Sequence, residues 1–305
     1  MTKTKFIVNP QAASGACRDL WKKTFKTRLD LFPHHEIAYT TKPKEATELA
    51  RKAISTGFEK IIAVGGDGTL NEVLNGFFEN GKLLSDSVLL GMYPLGTGGD
   101  FPRNFSFPQK DEEVLKLLSR GMVQKIDVGK INYEEEGLEK HHYFLNISSF
   151  GLSVEVLENM GSTKGFLGKA SYLSTSALSF LKSKAQIFHV KKEGEQIERE
   201  YLAHNIFVAN GMFSGGKMKW APHAKVDDGF FDVVILEKLP KWKLPFIIPK
   251  IYKGTHLKEK EVEVFRSPWL EFQSEKEVFF EADGEIIGKL PATFHILHKC
   301  IHFIC

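Results

Sequence analysis

Residues Ile61 to Leu74 read IIAVGGDGTLNEVL, and the change of pattern inside that stretch decides the fold. Lys60 to Val64 is a short, β-rich apolar run. Gly65, Gly66 and Gly68 follow at once, and Leu70, Val73, Leu74 and Phe77 then recur at helical spacing, with Glu72 in the first turn. The predicted unit is strand, glycine turn, helix. Glycines in such a turn are free to take φ > 0 and let a ligand touch the backbone. The start of the helix aims unpaired N–H groups and a positive dipole end at whatever occupies the turn, which suits phosphate. Asp67, inside the turn, repels bare phosphate, so it calls for a metal, a hydrogen-bonding duty or a proton to accept. Taken alone GGDG is equally a tight turn; the flanking strand and helix are what favour phosphate.

Outward from this unit the arrangement repeats. Lys5 to Asn9 (KFIVN) is a predicted strand running into Pro10 and the small-residue loop QAASGA, followed by a helix from about Arg18 to Leu31. His35 to Thr40 alternates like a strand, and Ala46, Leu49, Ala50, Ala53 and Ile54 mark an amphipathic helix with Pro43 in its first turn. Beyond the central unit come a strand over Val88 to Tyr93, a second glycine loop PLGTGGDFPRNF, a helix over Asp111 to Arg120 and a strand over Val123 to Lys130. Such alternation indicates βαβ units and a parallel sheet, with both glycine loops at carboxyl ends of strands, where open α/β sheets bind ligands.

After about Gly129 the pattern becomes short strands joined by turns. They are predicted at His142 to Ser148, Gln186 to Lys192, Gln196 to Tyr201, Asn205 to Ala209 and Phe230 to Glu237, then at Glu261 to Phe265, Trp269 to Gln273 and Val278 to Glu281. Lys191 to Glu195 reads as a hairpin tip, and only Lys169 to Lys184 and Trp242 to Lys253 read as helices. The fold class is therefore α/β, with an α/β domain over residues 1–129 and a mainly antiparallel β-sandwich domain over 130–290. The tail, 291–305, is a further strand that can return to the first domain.

A chain of 305 residues is long enough for two domains and a sizeable core. The formal net charge of +3 is too small to argue for nucleic acid, though it permits attraction to an anionic membrane surface. Three cysteines, Cys17, Cys300 and Cys305, cannot all pair and give no disulfide framework, which points to a reducing compartment. The opening MTKTKFIVNP lacks the apolar core of a signal peptide. No run approaches the ~18 apolar residues of a spanning helix, since Leu244 to Tyr252 is broken by Pro245, Pro249 and Lys250. The expected location is cytoplasmic.

Several phosphate machines are excluded by what is missing: there is no GxxxxGK[ST], no HRD or DFG set, and GGDGTLN does not match GxGxxG. What the chain does resemble is the diacylglycerol kinase catalytic-domain family, and within it the soluble bacterial lipid kinases related to sphingosine kinases and, more distantly, NAD kinases. The resemblance rests on GGDGTLNEV, PLGTGGDF, the opening VNPQAASG and the late DGE, with Asn210 to Val233 as a further similar segment, so it covers nearly the whole chain. It implies a Rossmann-like nucleotide domain, a β-sandwich domain and an active cleft between them. It also implies transfer of the γ-phosphoryl of ATP to a lipid hydroxyl with Mg²⁺, at a membrane surface that the protein touches peripherally.

By motif match, Gly65, Gly66, Asp67, Gly68, Thr69, Leu70 and Asn71 would wrap the ATP phosphates, with Asn9, Thr40 and Thr97 around the nucleotide. Thr40 is preferred to Thr41 because it lies six residues before Ala46, the family spacing. Asp283, in FFEADGEIIG, matches the family's general base, with Glu285 beside it to hold Mg²⁺ or the nucleotide. Phosphoryl transfer needs positioning, charge neutralisation and a proton acceptor. Asp283-Gly284 is equally a hairpin turn, and both readings can hold together. Asp67 competes for the base role, with Asp283 preferred. Asp227-Asp228-Gly229 is a turn and also resembles a structural Mg²⁺ site, with the Asp228 carboxylate and the carbonyls of Lys225 and Phe230 as ligands.

One departure stands out: Gly99 occupies a position that is Asn in the family, removing an amide near the phosphates, while Asp100 remains as a buttress. His295, His298 and His302 do not make a recognised metal spacing, and His34-His35 and His141-His142 are expected at exposed loops or strand starts. Lys217, Lys219 and Trp220 form a candidate cationic and aromatic rim. The expected activity is that of a lipid kinase acting on the diacylglycerol or long-chain-base class. The alternatives are a kinase for a soluble acceptor such as NAD and a non-catalytic nucleotide- or lipid-binding regulator. A homodimer is compatible with the sequence, though no coiled coil or seam demands one.

Overall fold

The computed structural model describes residues 2–15, 17–95, 99–161 and 184–305. Its first unit carries strands β1 (Thr4–Val8), β2 (His35–Tyr39), β3 (Lys60–Gly65) and β4 (Leu89–Pro94) and helices α1 (Cys17–Phe25), α2 (Glu45–Ser55), α3 (Asp67–Asn75) and α4 (Asp111–Arg120). The four strands pair in parallel in the order β4-β3-β1-β2. Helices cover both faces, which is why β3 is buried at every position and reads as a continuous apolar run. Phe6, Val8, Ile62 and Val64 pack with Trp21, Phe25 and Leu115 on one side. Ile7, Ile61 and Ala63 pack with Ala50, Leu70 and Leu74 on the other.

Beyond it run β5 (Val123–Glu135), β6 (Leu138–Phe144), β7 (Ile147–Gly151), helix α5 (Leu152–Gly161), β8 (Gln186–Lys192), β9 (Arg199–Ala209), β10 (Phe231–Glu237), helix α6 (Leu244–Lys253), β11 (Val262–Ser267), β12 (Trp269–Ser274), β13 (Phe279–Ala282), β14 (Glu285–Lys289) and β15 (Ala292–Ile304). These strands form an antiparallel β-sandwich around Phe144, Phe150, Phe188, Phe231, Phe272, Phe280 and Phe294. Strand β15 joins the two units. It runs antiparallel to β5 and β12, while its end lies parallel to β4, pairing His302 with Leu89 and Phe303 with Leu90.

Several elements differ from expectation. The strand expected over His142 to Ser148 is two strands, because the amides of Leu145, Asn146 and Ile147 leave the ladder to donate to Asp283. The strands expected over Gln196 to Tyr201 and Asn205 to Ala209 are one, β9, with an irregularity between Ala203 and Asn205. Strand β5 continues to Glu135, so residue 129 falls inside it. Helix α1 ends at Phe25 and gives way to 3-10 turns over Lys26–Leu31. Helix α2 begins at Glu45, after Pro43, where the Glu45 carboxylate accepts from the Thr41 and Lys42 amides. Helix α5 was not expected at all; its polar Ser153 and Glu155 interrupt the apolar period. The helix expected over Lys169 to Lys184 lies outside the described residues but for its last position.

Candidate active site

The carboxyl ends of β1, β2 and β3 lie side by side and bring Asn9, Thr40 and the GGDG turn together. The Thr40 amide donates to the Val8 carbonyl at 2.9 Å, and the Asn9 amide donates to the Val64 carbonyl at 3.0 Å. The Asn9 side chain reaches Thr69 Oγ1 through Nδ2 at 3.1 Å and fixes the following loop through the Gln11 amide at 3.0 Å. None of Gly65, Gly66 and Gly68 has positive φ, contrary to expectation. Space, not torsion, demands glycine here: a Cβ on Gly65 would stand 2.4 Å from Thr69 Oγ1. A Cβ on Gly68 would lie 3.5 Å from Glu285 Oε1. Leu70 is core.

Asp67 is tied down. Its Oδ2 accepts from the Asp100 amide at 3.0 Å and its Oδ1 from the Phe101 amide at 3.2 Å. Burial raises its carboxyl above the ordinary value while these amides pull it back. Asp67 thus fastens the first glycine turn to the second. Asp100 continues the chain of clamps, accepting from the Gly216 and Lys217 amides at 2.8 and 2.9 Å. That places Lys217, but not Trp220, against the glycine loops; the Trp220 ring stacks on Phe207 inside the second unit. Thr97 lies outside the described residues. Gly99 takes φ +61°, with open space where a Cβ would stand.

Asp283 and Gly284, at φ 49° and 90°, make a two-residue turn between β13 and β14, of the primed type that Asp-Gly favours. The turn also aims the Asp283 carboxylate into the first unit. Oδ2 accepts from Asn71 Nδ2 of α3 at 3.0 Å and from the Leu145 amide at 2.8 Å. Oδ1 accepts from the Asn146 and Ile147 amides at 2.9 and 3.2 Å. Burial pushes the carboxyl up to about 6 against the pull of these four donors. Asn71 therefore faces the hairpin, and its amide also donates to the Tyr143 carbonyl at 2.9 Å. Glu285 is half-buried, and its carboxyl is raised by burial and by the neighbouring charges of Glu72 and Asp283, against the pull of Lys44.

The expectations for Mg²⁺ fare differently at two places. Asp228 is held by the Arg266 guanidinium, which also reaches Asp232 at 3.4 Å and sits over the Phe230 ring at 4.9 Å. The Arg266 guanidinium already occupies that carboxylate, so in this arrangement Asp228 is not free to take a divalent ion. Glu285 fits better. Among the described residues only the charge of Lys44 offsets it, it faces Gly68, and two further carboxylates raise the cost of its ionisation, which a cation would relieve.

The three late histidines go separate ways. His295 meets the Trp269 ring, His298 Nδ1 lies 2.9 Å from Asp127, and His302 Nδ1 lies 2.7 Å from the Asp86 carbonyl. His142 is not an exposed strand start: it sits inside β6, and burial lowers its pKa to about 3.

Sequence reasoning missed three groups. Asn104 Nδ2 donates to Asn146 Oδ1 at 2.9 Å while its own Oδ1 accepts from the Met212 amide at 2.8 Å, bridging the units. The fully buried Asn210 donates to the carbonyls of Asp127 and Leu145. Glu281 is buried beside an apolar cavity of about 170 Å³, lined by Leu152, Phe207, Met218, Trp220 and Ile247 among others, with Glu281 and Gly284 at its hairpin side. The available signal was an acid in an otherwise apolar strand, FFEA.

Residues 3–131 match the family described as the diacylglycerol kinase catalytic domain, and residues 146–305 match the YegS C-terminal NAD kinase β-sandwich-like domain. A Staphylococcus aureus (strain JH9) protein named diacylglycerol kinase is 30% identical over 304 residues, 98% of this chain and 91% of that one. The chain belongs to the diacylglycerol kinase family. A candidate diacylglycerol kinase from Bacillus anthracis (strain Sterne), solved as a crystal structure, is 26% identical, with TM-score 0.78 over 99% of this chain and 96% of that one. Yeast NADH kinase, solved with NADH, is 12% identical, with TM-score 0.56 over 100% of this chain and 83% of that one; this is a likeness of fold alone. As a member of the diacylglycerol kinase family, the chain is a kinase that uses ATP as phosphoryl donor. Among the described residues no helix is long and apolar enough to cross a membrane.

Proposed function

We propose that the protein transfers the γ-phosphoryl of ATP to a hydroxyl of a membrane lipid. The observation that carries this is the meeting of three parts: the GGDG turn, the Asp283 hairpin bonded to it through Asn71, and an apolar cavity against Gly284. The turn and the start of α3 bind the phosphates, with Asn9 and Thr40 beside them. Glu285 would hold Mg²⁺, which supplies charge neutralisation for the triphosphate. The acceptor oxygen attacks the γ-phosphorus, an O–P bond forms, and the bond to the bridging oxygen breaks, its electron pair leaving with ADP. The hydroxyl proton passes to Asp283.

Four donors already fill the in-plane lone pairs of that carboxylate, so one must yield. Asn71 is the one able to do so, because its amide keeps the Tyr143 carbonyl as partner. The acceptor hydroxyl then takes its place on Oδ2. Exposed Trp242 and Phe246, at 68% and 65%, flank the α6 residues Ile247, Ile248 and Ile251 that wall the cavity. They support a peripheral contact through which a lipid reaches it.

The test is labelled ATP with a membrane lipid extract and, separately, with NAD and no lipid. Label in an organic-soluble product is expected. Label only in NAD overturns the lipid acceptor, and label in neither overturns the phosphoryl-transfer mechanism itself.

A further inference from the structure

The loop that follows β9 carries three successive residues in the left-handed region, Gly215, Gly216 and Lys217, at φ 67°, 80° and 77°. Glycine adopts that backbone freely, whereas the Cβ of a lysine crowds the neighbouring carbonyl, so Lys217 is held there by what surrounds it. The hold is Asp100 of the second glycine loop, whose carboxylate accepts from the Gly216 amide at 2.8 Å and from the Lys217 amide at 2.9 Å. We propose that the Lys217 ammonium binds the γ-phosphate of ATP and stays on the phosphoryl group as it passes to the acceptor, which makes Lys217 a catalytic residue supplied by the second unit. The proposal rests on the phosphoryl-transfer reading of the site, whatever the acceptor.

Position is the first ground. Gly215 and Met218 line the apolar cavity that Gly284 also lines, while Gly216 and Lys217 between them turn to Asp100. Asp100 in turn donates its amide to Asp67 Oδ2 at 3.0 Å, at the first residue of α3. Lys217 therefore stands between the cavity and the glycine turn, and phosphates bound at that turn come within reach of its four-carbon stem. Charge is the second. The Asp100 carboxylate is met by the two amides and by Arg103 Nε at 3.6 Å, so its hold on the loop does not use the Lys217 ammonium. Lys217 is exposed, and among the described residues its ammonium makes no ion pair. The remaining residues, 1, 16, 96–98 and 162–183, include no acid that could make one. Space is the third. Gly99, next to Asp100, leaves open space where a Cβ would stand, so no side chain at that position walls the ammonium off from the phosphates.

Phosphoryl transfer needs the charge on the equatorial oxygens of the moving group neutralised while its bridging bond is lost. A lysine ammonium, a compact point charge with three donors, does this without giving up a proton. Lys217 forms no covalent bond, and the acceptor's proton still goes to Asp283, so bond-making and bond-breaking are unchanged by it. Lys217 belongs to the second unit and the glycine turn to the first. The γ-phosphate thereby ties the two units across the cleft, a link that ADP lacks.

The experiment measures equilibrium binding of ATP and of ADP, each with Mg²⁺ and without lipid, to the full chain and its Lys217 variants. The wild type is expected to bind ATP about tenfold tighter than ADP, a difference of ~1.4 kcal/mol. Lys217→Gln and Lys217→Gly should bring ATP to within a factor of roughly two of ADP while ADP binding holds, because a charge-assisted contact to the γ-phosphate is lost. Lys217→Arg, which keeps the charge, should retain a preference of at least about threefold. Lys217→Gly also separates the contact from the fold. It keeps the backbone amide that binds Asp100 and suits φ 77° better, so it should unfold at no lower denaturant concentration than the wild type. Equal wild-type affinities for ATP and ADP, an ATP preference that survives Lys217→Gly, equal losses for both nucleotides, or a loss seen only together with lowered stability overturns the proposal. Turnover is not read, so failure of the kinase reading shows separately, as γ-phosphate-dependent binding in a protein that labels no acceptor.

Discussion

Asp67 and Asp283 are both acids in glycine-containing turns whose carboxylates are gripped by successive backbone amides, yet they do different work. Asp67 accepts from two amides of the adjoining loop, within the unit to which it belongs. Asp283 accepts three amides and a side-chain amide from elements distant in sequence, and one of its partners, Asn71, stands on the helix that Asp67 begins. One carboxylate holds a loop and the other holds two units together. A carboxylate's role is thus set by where its donors come from, not by the motif around it.

The sharpest way to break this contrast is Asp283→Asn. Loss of the proton acceptor is expected to lower kcat by about 10²–10⁴-fold with ATP binding retained. The leftover amide donors should also cost ~1–3 kcal/mol of stability, read by denaturant unfolding. Wild-type kcat within a factor of roughly three would remove Asp283 as base.

Acidity tests the same group without mutation. With its pKa raised to about 6, Asp283 is ionised above that value, so kcat/KM should fall about tenfold per pH unit below it. The linkage has the opposite sign for stability. A raised carboxyl pKa means the fold prefers the protonated form, so this group's contribution is full below the ordinary carboxyl value and is lost as pH rises through about 6. Activity should therefore decline in acid while this group's contribution to stability grows; a pH-independent kcat/KM between 5 and 8 would contradict the assignment.

Asp67→Asn should act on binding instead, raising KM for ATP about tenfold with the smaller effect on kcat, since a loop is loosened and no proton acceptor is lost. Should it depress kcat as deeply as Asp283→Asn, the distinction between the two acids collapses. Gly65→Ala puts a methyl against Thr69 and should cost ~1–3 kcal/mol of stability, measured by chemical unfolding. Gly99→Asn should be the mildest change. Asn tolerates the left-handed backbone found there and meets open space, so stability should move by less than ~0.5 kcal/mol. A marked gain in turnover in that variant would identify the missing amide as a phosphate ligand.

The same contrast explains what could be read in advance. The strand–turn–helix at residues 60–75 was legible because its period changes within one short stretch and its partners are neighbours in the chain. The parallel sheet and the sandwich followed from pattern in the same way. Asp283 could be singled out only by resemblance, since Asp-Gly between two strands is a turn whether or not its carboxylate serves anything. Nothing local announces that Leu145, Asn146 and Ile147 abandon a ladder to reach it, which is why one strand was expected where two are found. Glu281 was passed over because the cavity beside it is assembled from β7, α5, β9, the 214–220 stretch, β10 and α6, segments no window of sequence contains together. Asp228 went the other way: its turn was visible, but the Arg266 that occupies its carboxylate lies on another strand.

Strand β15 pairs with the edge of the first unit's sheet through residues that are synthesised only after β4 and all the other strands of the second unit. The nascent first half must therefore wait with β4 unpaired on that side, and the two halves ripen together, not in turn. A chain stopped at residue 290 should accordingly be digested by protease throughout the first half as well as the second. Survival of an intact N-terminal fragment would show that the half carrying GGDG matures alone.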